Sequence, residues 1–211
     1  MAGAAPTMRR MGITKVVAIV LTWTGAATQS PAERTAMLRE ADAIWRAHGV
    51  AIVALAPEQP LAPPGADVRL VVALDRTPKP PPAAGRSPRL GAILFDHENV
   101  PATTLAIEAA AVEATVARTR WGGRPFDQWP AAWHDLLVGR ALGRVLAHEI
   151  GHYLLASRLH AGDGLMRASF DGDELLRPGR HGFAVAARDL PRLRTRLAGL
   201  GHGSALAENA R

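Results

Sequence analysis

Apolar positions along this chain fall in short runs with two different periods. Val16 to Trp23 is a continuous apolar run rich in β-branched residues and reads as a first strand. Ser30-Pro31 then supplies an N-cap followed by proline at the first helical position, with Glu33 in the first turn. Leu38, Ala41, Ile44 and Trp45 recur at helical spacing up to His48-Gly49, where glycine ends the helix. Val50 to Leu55 reads as a second strand, which completes a β–α–β unit. Asp67 to Asp75 is a third strand, apolar enough to be central, and Leu90 to Phe95 is a short fourth one. The prolines of 57–64 and 77–88 exclude helix and central strand, so both stretches read as loops.

The second half of the chain reads as mainly helical. Residues 101–118, alanine-rich with Leu105, Ile107, Ala111 and Val112, are expected to form one helix. Trp121-Gly-Gly-Arg-Pro125 breaks it, and the 119–130 loop is expected to be pinned to the body by Trp121, Phe126 and Trp129. A long helix should start near Pro130 or Ala131, because no proline occurs from 131 to 158 and Leu136, Leu137, Leu142, Val145 and Leu146 keep helical spacing. Asp171 to Arg180 is polar and loop-like, and 184–200 reads as a C-terminal helix. The expected fold class is α/β (α+β), a mixed twisted sheet of about four strands packed on helices. It forms one domain over 13–200, between a flexible N-terminus (1–12) and a flexible tail (201–211).

The long helix carries the chemistry. Its end reads His148-Glu149-x-x-His152, and on a helix the two histidines lie one turn apart on one face. That spacing suits two imidazoles on one Zn²⁺, with Glu149 beside the metal as a proton acceptor for water. The flanks Val145-Leu-Ala147 and Tyr153-Leu-Leu155 are uncharged, which predicts a buried helix. His160 follows eight residues after His152 and is the expected third ligand, with Glu174 and Asp163 as alternatives. Gly162 and Gly164 allow the chain to turn again before Met166, which the resemblance given below implies to be a packing residue under the site. Asp96-His97-Glu98 offers three ligand types in a row, but neighbours on a strand point to opposite faces, so a solvated strand end is expected. Tyr153 faces away from the two histidines and is given no role.

Composition narrows this further. There is no cysteine, so any zinc must rest on His, Asp or Glu. Net charge is +6, with only Lys15 and Lys79 as lysines. The arginines are scattered and aromatics are few, so no nucleic-acid partner is expected. Arg9, Arg10 and Lys15 before an apolar run, with Ala26-Ala27 after it, satisfy part of a signal-peptide pattern. The run is too short to span a bilayer and is better used as a strand, so no membrane span is expected. The cytoplasm is slightly favoured, with secretion left open.

On these residues the chain resembles the zincin metallopeptidases, specifically the metzincin group, whose pattern is H-E-x-x-H-x-x-G-x-x-H followed by a methionine turn. His148, Glu149, His152, His160 and Gly164-Leu-Met166 carry the resemblance, over roughly residues 13–170. Leu155 stands where that group has its turn glycine, and Arg158 where its third histidine is expected. The resemblance implies one zinc ion and a metalloendopeptidase that hydrolyses peptide bonds through a zinc-bound water activated by Glu149. It also implies a peptide held in extended form on the edge strand near 90–95. The alternative is a non-catalytic zinc protein, structural or sensory, on the same scaffold, which has no need of Glu149.

Overall fold

The computed structural model describes residues 17–24, 29–55, 67–80, 82–83 and 85–208, with side chains described up to residue 200. The expectations for 1–12 and for the proline loop at 57–64 lie outside these residues. Strand β1 (Val17–Thr24), helix α1 (Pro31–Arg46) and strand β2 (Val50–Ala54) form the β–α–β unit, with β1 and β2 parallel from Val17 opposite Val50. The Ser30 hydroxyl accepts from the Glu33 amide at 3.0 Å, which fixes the start of α1. Strand β3 (Val68–Asp75) pairs parallel with β1 on its other side. Its inward positions Val68, Leu70, Val72 and Leu74 are all buried.

The sheet has five strands, in the order β2-β1-β3-β5-β4. The fifth corrects the expectation of a single helix over 101–118. Pro101–Glu108 is strand β5, parallel to β3, and only Ala109–Val116 is helix α2. Leu105 and Ile107, two apart, are both fully buried, which is a strand period. Strand β4 (Gly91–Phe95) pairs antiparallel with β5 and forms the edge. A tight hairpin joins them: the Asp96 carboxylate accepts from the Glu98 and Val100 amides at 2.9 and 2.8 Å, and Asn99 takes φ 66°.

Helix α3 (Ala131–Leu155) crosses behind the sheet and is buried at every position from Leu137 to Leu155 except Arg140. It approaches α1 closely because Gly139 and Gly143 lack side chains. A Cβ on Gly139 would lie 2.5 Å from the Glu33 carbonyl oxygen, and one on Gly143 2.5 Å from that of Met37. Trp45 of α1 donates from Nε1 to the Ala147 carbonyl at 3.0 Å. Fully buried Arg144 is paired with Glu40 of α1 at 2.9 Å and donates to the carbonyls of Glu174, Arg177 and Gly179. Every guanidinium nitrogen is used, the condition under which a buried cation is tolerated. Arg180 closes on Glu40 as well, so the segment after 170 is tied to the helical layer.

Two further boundaries differ from expectation. Within the stretch read as loop, Gly172–Leu176 is helix α4, opened by a reciprocal capping box between Asp171 and Glu174. The last helix, α5, spans Leu190–Glu208, so it starts later than residue 184 and runs past Leu200. No described helix is long and apolar enough to cross a membrane.

Candidate metal centre

His148, Glu149 and His152 lie on the last two turns of α3, all buried. The helix runs through Leu155 and stops at Ala156, which takes the left-handed conformation (φ 43°, ψ 52°). An alanine there costs about 1–2 kcal/mol relative to right-handed backbone. The Ser157 amide donates back to the His152 carbonyl at 3.2 Å. The Ser157 carbonyl then meets His152 Nδ1 at 2.6 Å. Thus the helix stop itself orients the second histidine. The first is oriented by the following turn: Leu165 places its carbonyl 2.7 Å from His148 Nδ1, while its own amide donates to Ala184 at 2.8 Å. Gly164 (φ 69°) makes that turn, and a Cβ on it would lie 2.5 Å from the Ala184 oxygen.

These bonds decide the state of both rings. A backbone carbonyl only accepts, so each Nδ1 carries the hydrogen and each Nε2 presents a lone pair. The two Nε2 atoms are 3.0 Å apart. Two lone pairs that close repel unless a cation lies between them. A proton is a poor candidate, because burial pushes His148 down to about 3 and lowers His152 as well. A metal ion is a good one: tetrahedral coordination at the usual Zn–N length separates ligand nitrogens by about 3.3 Å. His160 completes the group. Its ring stacks over His148 at 5.3 Å between centroids and meets His152 edge-on at 4.9 Å, and the three ligand atoms all lie within 4.8 Å of one another. Among the described residues this is the only group of three or more His, Asp or Glu side chains able to hold a metal ion.

The alternatives for the third ligand are engaged elsewhere. Glu174 accepts from Arg167 at 2.6 Å and from the Asp171 amide at 3.1 Å. Asp163 is exposed and pairs with Arg188 at 2.5 Å. Asp96-His97-Glu98 is the hairpin turn described above, with His97 and Glu98 both exposed, and it joins no ligand cluster.

Glu149 is buried against the edge strand. Its Oε1 and Cγ would lie 2.7 and 2.9 Å from a Cβ on Gly91, so glycine at the start of β4 is what lets the carboxyl in. Burial pushes this carboxyl up to about 8, opposed by the Arg89 charge. Met166 is buried and closes the floor, its Sδ filling the space that a side chain on Gly151 would occupy. Sequence reading placed Met166 beneath the site but passed over Gly91 and Gly151. Both are single glycines in regular elements, where a close approach is the usual cause. Tyr153 lies under Arg196, 5.9 Å from the ring centre, and does not line the site.

The histidines and Glu149 open into one cleft of about 540 Å³ between α3 and β4, walled by residues 87–95 and 167–170. The arrangement can hold a divalent cation on three neutral imidazoles, with one carboxyl beside it and an unpaired strand edge along it. No protein-family model matches the chain, and no curated protein matches it.

Proposed function

We propose that this chain is a zinc-dependent metalloendopeptidase with a divergent metzincin-like site. The observation that carries this is the facing pair of lone pairs on His148 and His152, fixed by two backbone carbonyls, with a buried carboxyl on the next residue. Zinc, when bound by His148, His152 and His160, supplies Lewis acidity toward a carbonyl oxygen and toward water. Glu149 takes the proton from the attacking water and delivers it to the leaving amine. Its raised affinity for a proton suits the second half of that task, and a nearby dication favours the ionised form needed for the first. Strand β4 offers its unpaired edge to an extended peptide, whose main chain hydrogen-bonds there while its side chains alternate into and out of the cleft.

Turnover that depends on the metal tests this reading. Chelation should abolish cleavage of an unfolded protein such as casein, and stoichiometric zinc should restore it. Cleavage that survives complete metal removal would refute the proposal.

A further inference from the structure

Cationic side chains outnumber acidic ones in the lining of the cleft. Arg89, Arg158 and Arg167 line it, and among the described residues Glu149 is its only carboxylate. Two of the arginines have acidic partners: Arg167 pairs with Glu174, and Arg89 lies 3.5 Å from Glu108, which Lys79 also contacts. Arg158 has no ion pair with any described residue. It follows the helix stop, between the second and third histidines in sequence. Its guanidinium reaches across the mouth of the cleft, donates to the Asp96 carbonyl at 2.7 Å and lies 5.1 Å over the Phe95 ring. One carboxylate oxygen of Asp96, Oδ1, accepts both hairpin amides, and among the described residues the Asp96 carboxylate forms no ion pair with Arg158. Arg158 is therefore held by a neutral carbonyl and an aromatic face, with donors left for a planar anion.

We infer that the cleft selects acidic peptides and that Arg158 binds a substrate carboxylate. This rests on the peptidase reading of the site and adds the substrate class. Arg89 precedes β4 and Arg158 reaches its far end, so the two cations bracket a strand edge of roughly 14 Å. Glu149 lies against Gly91, near the Arg89 end. A peptide laid along β4 thus meets Arg158 two to four residues from the bond over Glu149. The carboxylate is either an Asp or Glu side chain or the chain terminus, and a fork of guanidinium donors takes both alike.

The test measures binding apart from chemistry. Fluorescent ten-residue peptides of Ala, Ser and Gly carry one Glu or one Gln at successive positions, each made as free acid and as C-terminal amide. Their anisotropy is followed on Glu149→Gln protein, with and without zinc. At 50 mM salt the Glu peptide, or the free acid, should bind about tenfold more tightly than its neutral counterpart at one position. The advantage should shrink at 0.5 M salt. It should vanish in Arg158→Gln, persist in part in Arg158→Lys, and survive Arg39→Gln, which removes the same charge from the exposed face of α1. A preference confined to the free acids identifies the terminus as the carboxylate; one that also appears in the amides identifies a side chain. Equal affinity for all four peptide types, or a preference that Arg158→Gln leaves intact, overturns the inference. Wild-type protein separates the two claims: cleavage without regard to charge sinks only the acidic selection, and selective binding without any cleavage sinks only the peptidase reading.

Discussion

Gly91→Ala perturbs the proposed reaction without touching a metal ligand. The added methyl would sit 2.7 Å from Glu149 Oε1, 2.9 Å from its Cγ and 3.1 Å from the Ala106 carbonyl of the paired strand. Ordinary contact begins near 3.4 Å, so the carboxyl must retreat by about 0.7 Å while the strand yields by a few tenths. The carboxyl is the end of a flexible side chain and moves first. A displacement of about 1 Å at a reacting group costs on the order of 10²-fold. Gly91→Ala should therefore lower kcat/KM by about 10- to 100-fold, or roughly 1.4–2.7 kcal/mol in the barrier. His148 and His152 are held by Leu165 and Ser157, far from β4 in the chain, so zinc content should stay at one per chain. The assay pairs metal quantification with steady-state peptide hydrolysis on the same preparation. Unchanged turnover would show that Glu149 does not act from its place beside Gly91. Loss of the metal would show that the strand and the ligands are coupled in a way this packing does not describe.

Other consequences follow from the same contacts. His160→Ala should weaken zinc binding by orders of magnitude, while Glu174→Ala should leave it intact and instead lower stability by about 1 kcal/mol through the lost cap; competition with a chromogenic chelator and thermal melts separate the two. In metal-free protein Glu149 holds its proton up to about 8 against an ordinary 4.5, so its stabilising contribution is complete below 4.5 and drains away as pH rises to about 8. His148 acts oppositely, its contribution present above 6.5 and lost as pH falls toward about 3. Chelator-treated protein should thus be most stable at mildly acidic pH, and Glu149→Gln should remove the decline between pH 6 and 8; equal slopes in melts of the two proteins would refute this. Gly143→Ala, whose methyl meets the Met37 carbonyl at 2.5 Å, should destabilise by about 1–3 kcal/mol, whereas Gly199→Ala, with open space around it in α5, should stabilise by about 0.5–1 kcal/mol.

The four strands at 17–24, 50–54, 68–75 and 91–95 were legible because each is a continuous apolar or β-branched run too short for a helix. Residues 101–118 misled because alanines at 102 and 106 sit among Leu105 and Ile107 and satisfy helical spacing as well as alternation. Thr103-Thr104 favours a strand, but pairing with β3 and β4 decides it, and that is tertiary information. The capping box at Asp171 and Glu174 was visible as D-x-x-E, yet Gly172 between them argued for a loop. The structure explains the glycine by the approach of Thr119, whose hydroxyl leaves no room for a Cβ there. At the site, His148, Glu149 and His152 could be read from spacing alone, and His160 from proximity in sequence. The carbonyls of Leu165 and Ser157 could not, since a backbone acceptor leaves no mark on residue type. Nor could Arg144, a buried cation in an apolar helix whose partners come from α1 and from the segment after 170.

In the proposed reaction His148 and His152 hold a metal while Glu149 moves protons beside it. Zinc content and peptide hydrolysis, measured together on wild type, His148→Ala and Glu149→Gln, test it most directly. Wild type should hold one zinc and be active, His148→Ala should have neither, and Glu149→Gln should keep one zinc with turnover lowered by several orders of magnitude. Full zinc in His148→Ala, or undiminished hydrolysis by Glu149→Gln, would contradict it.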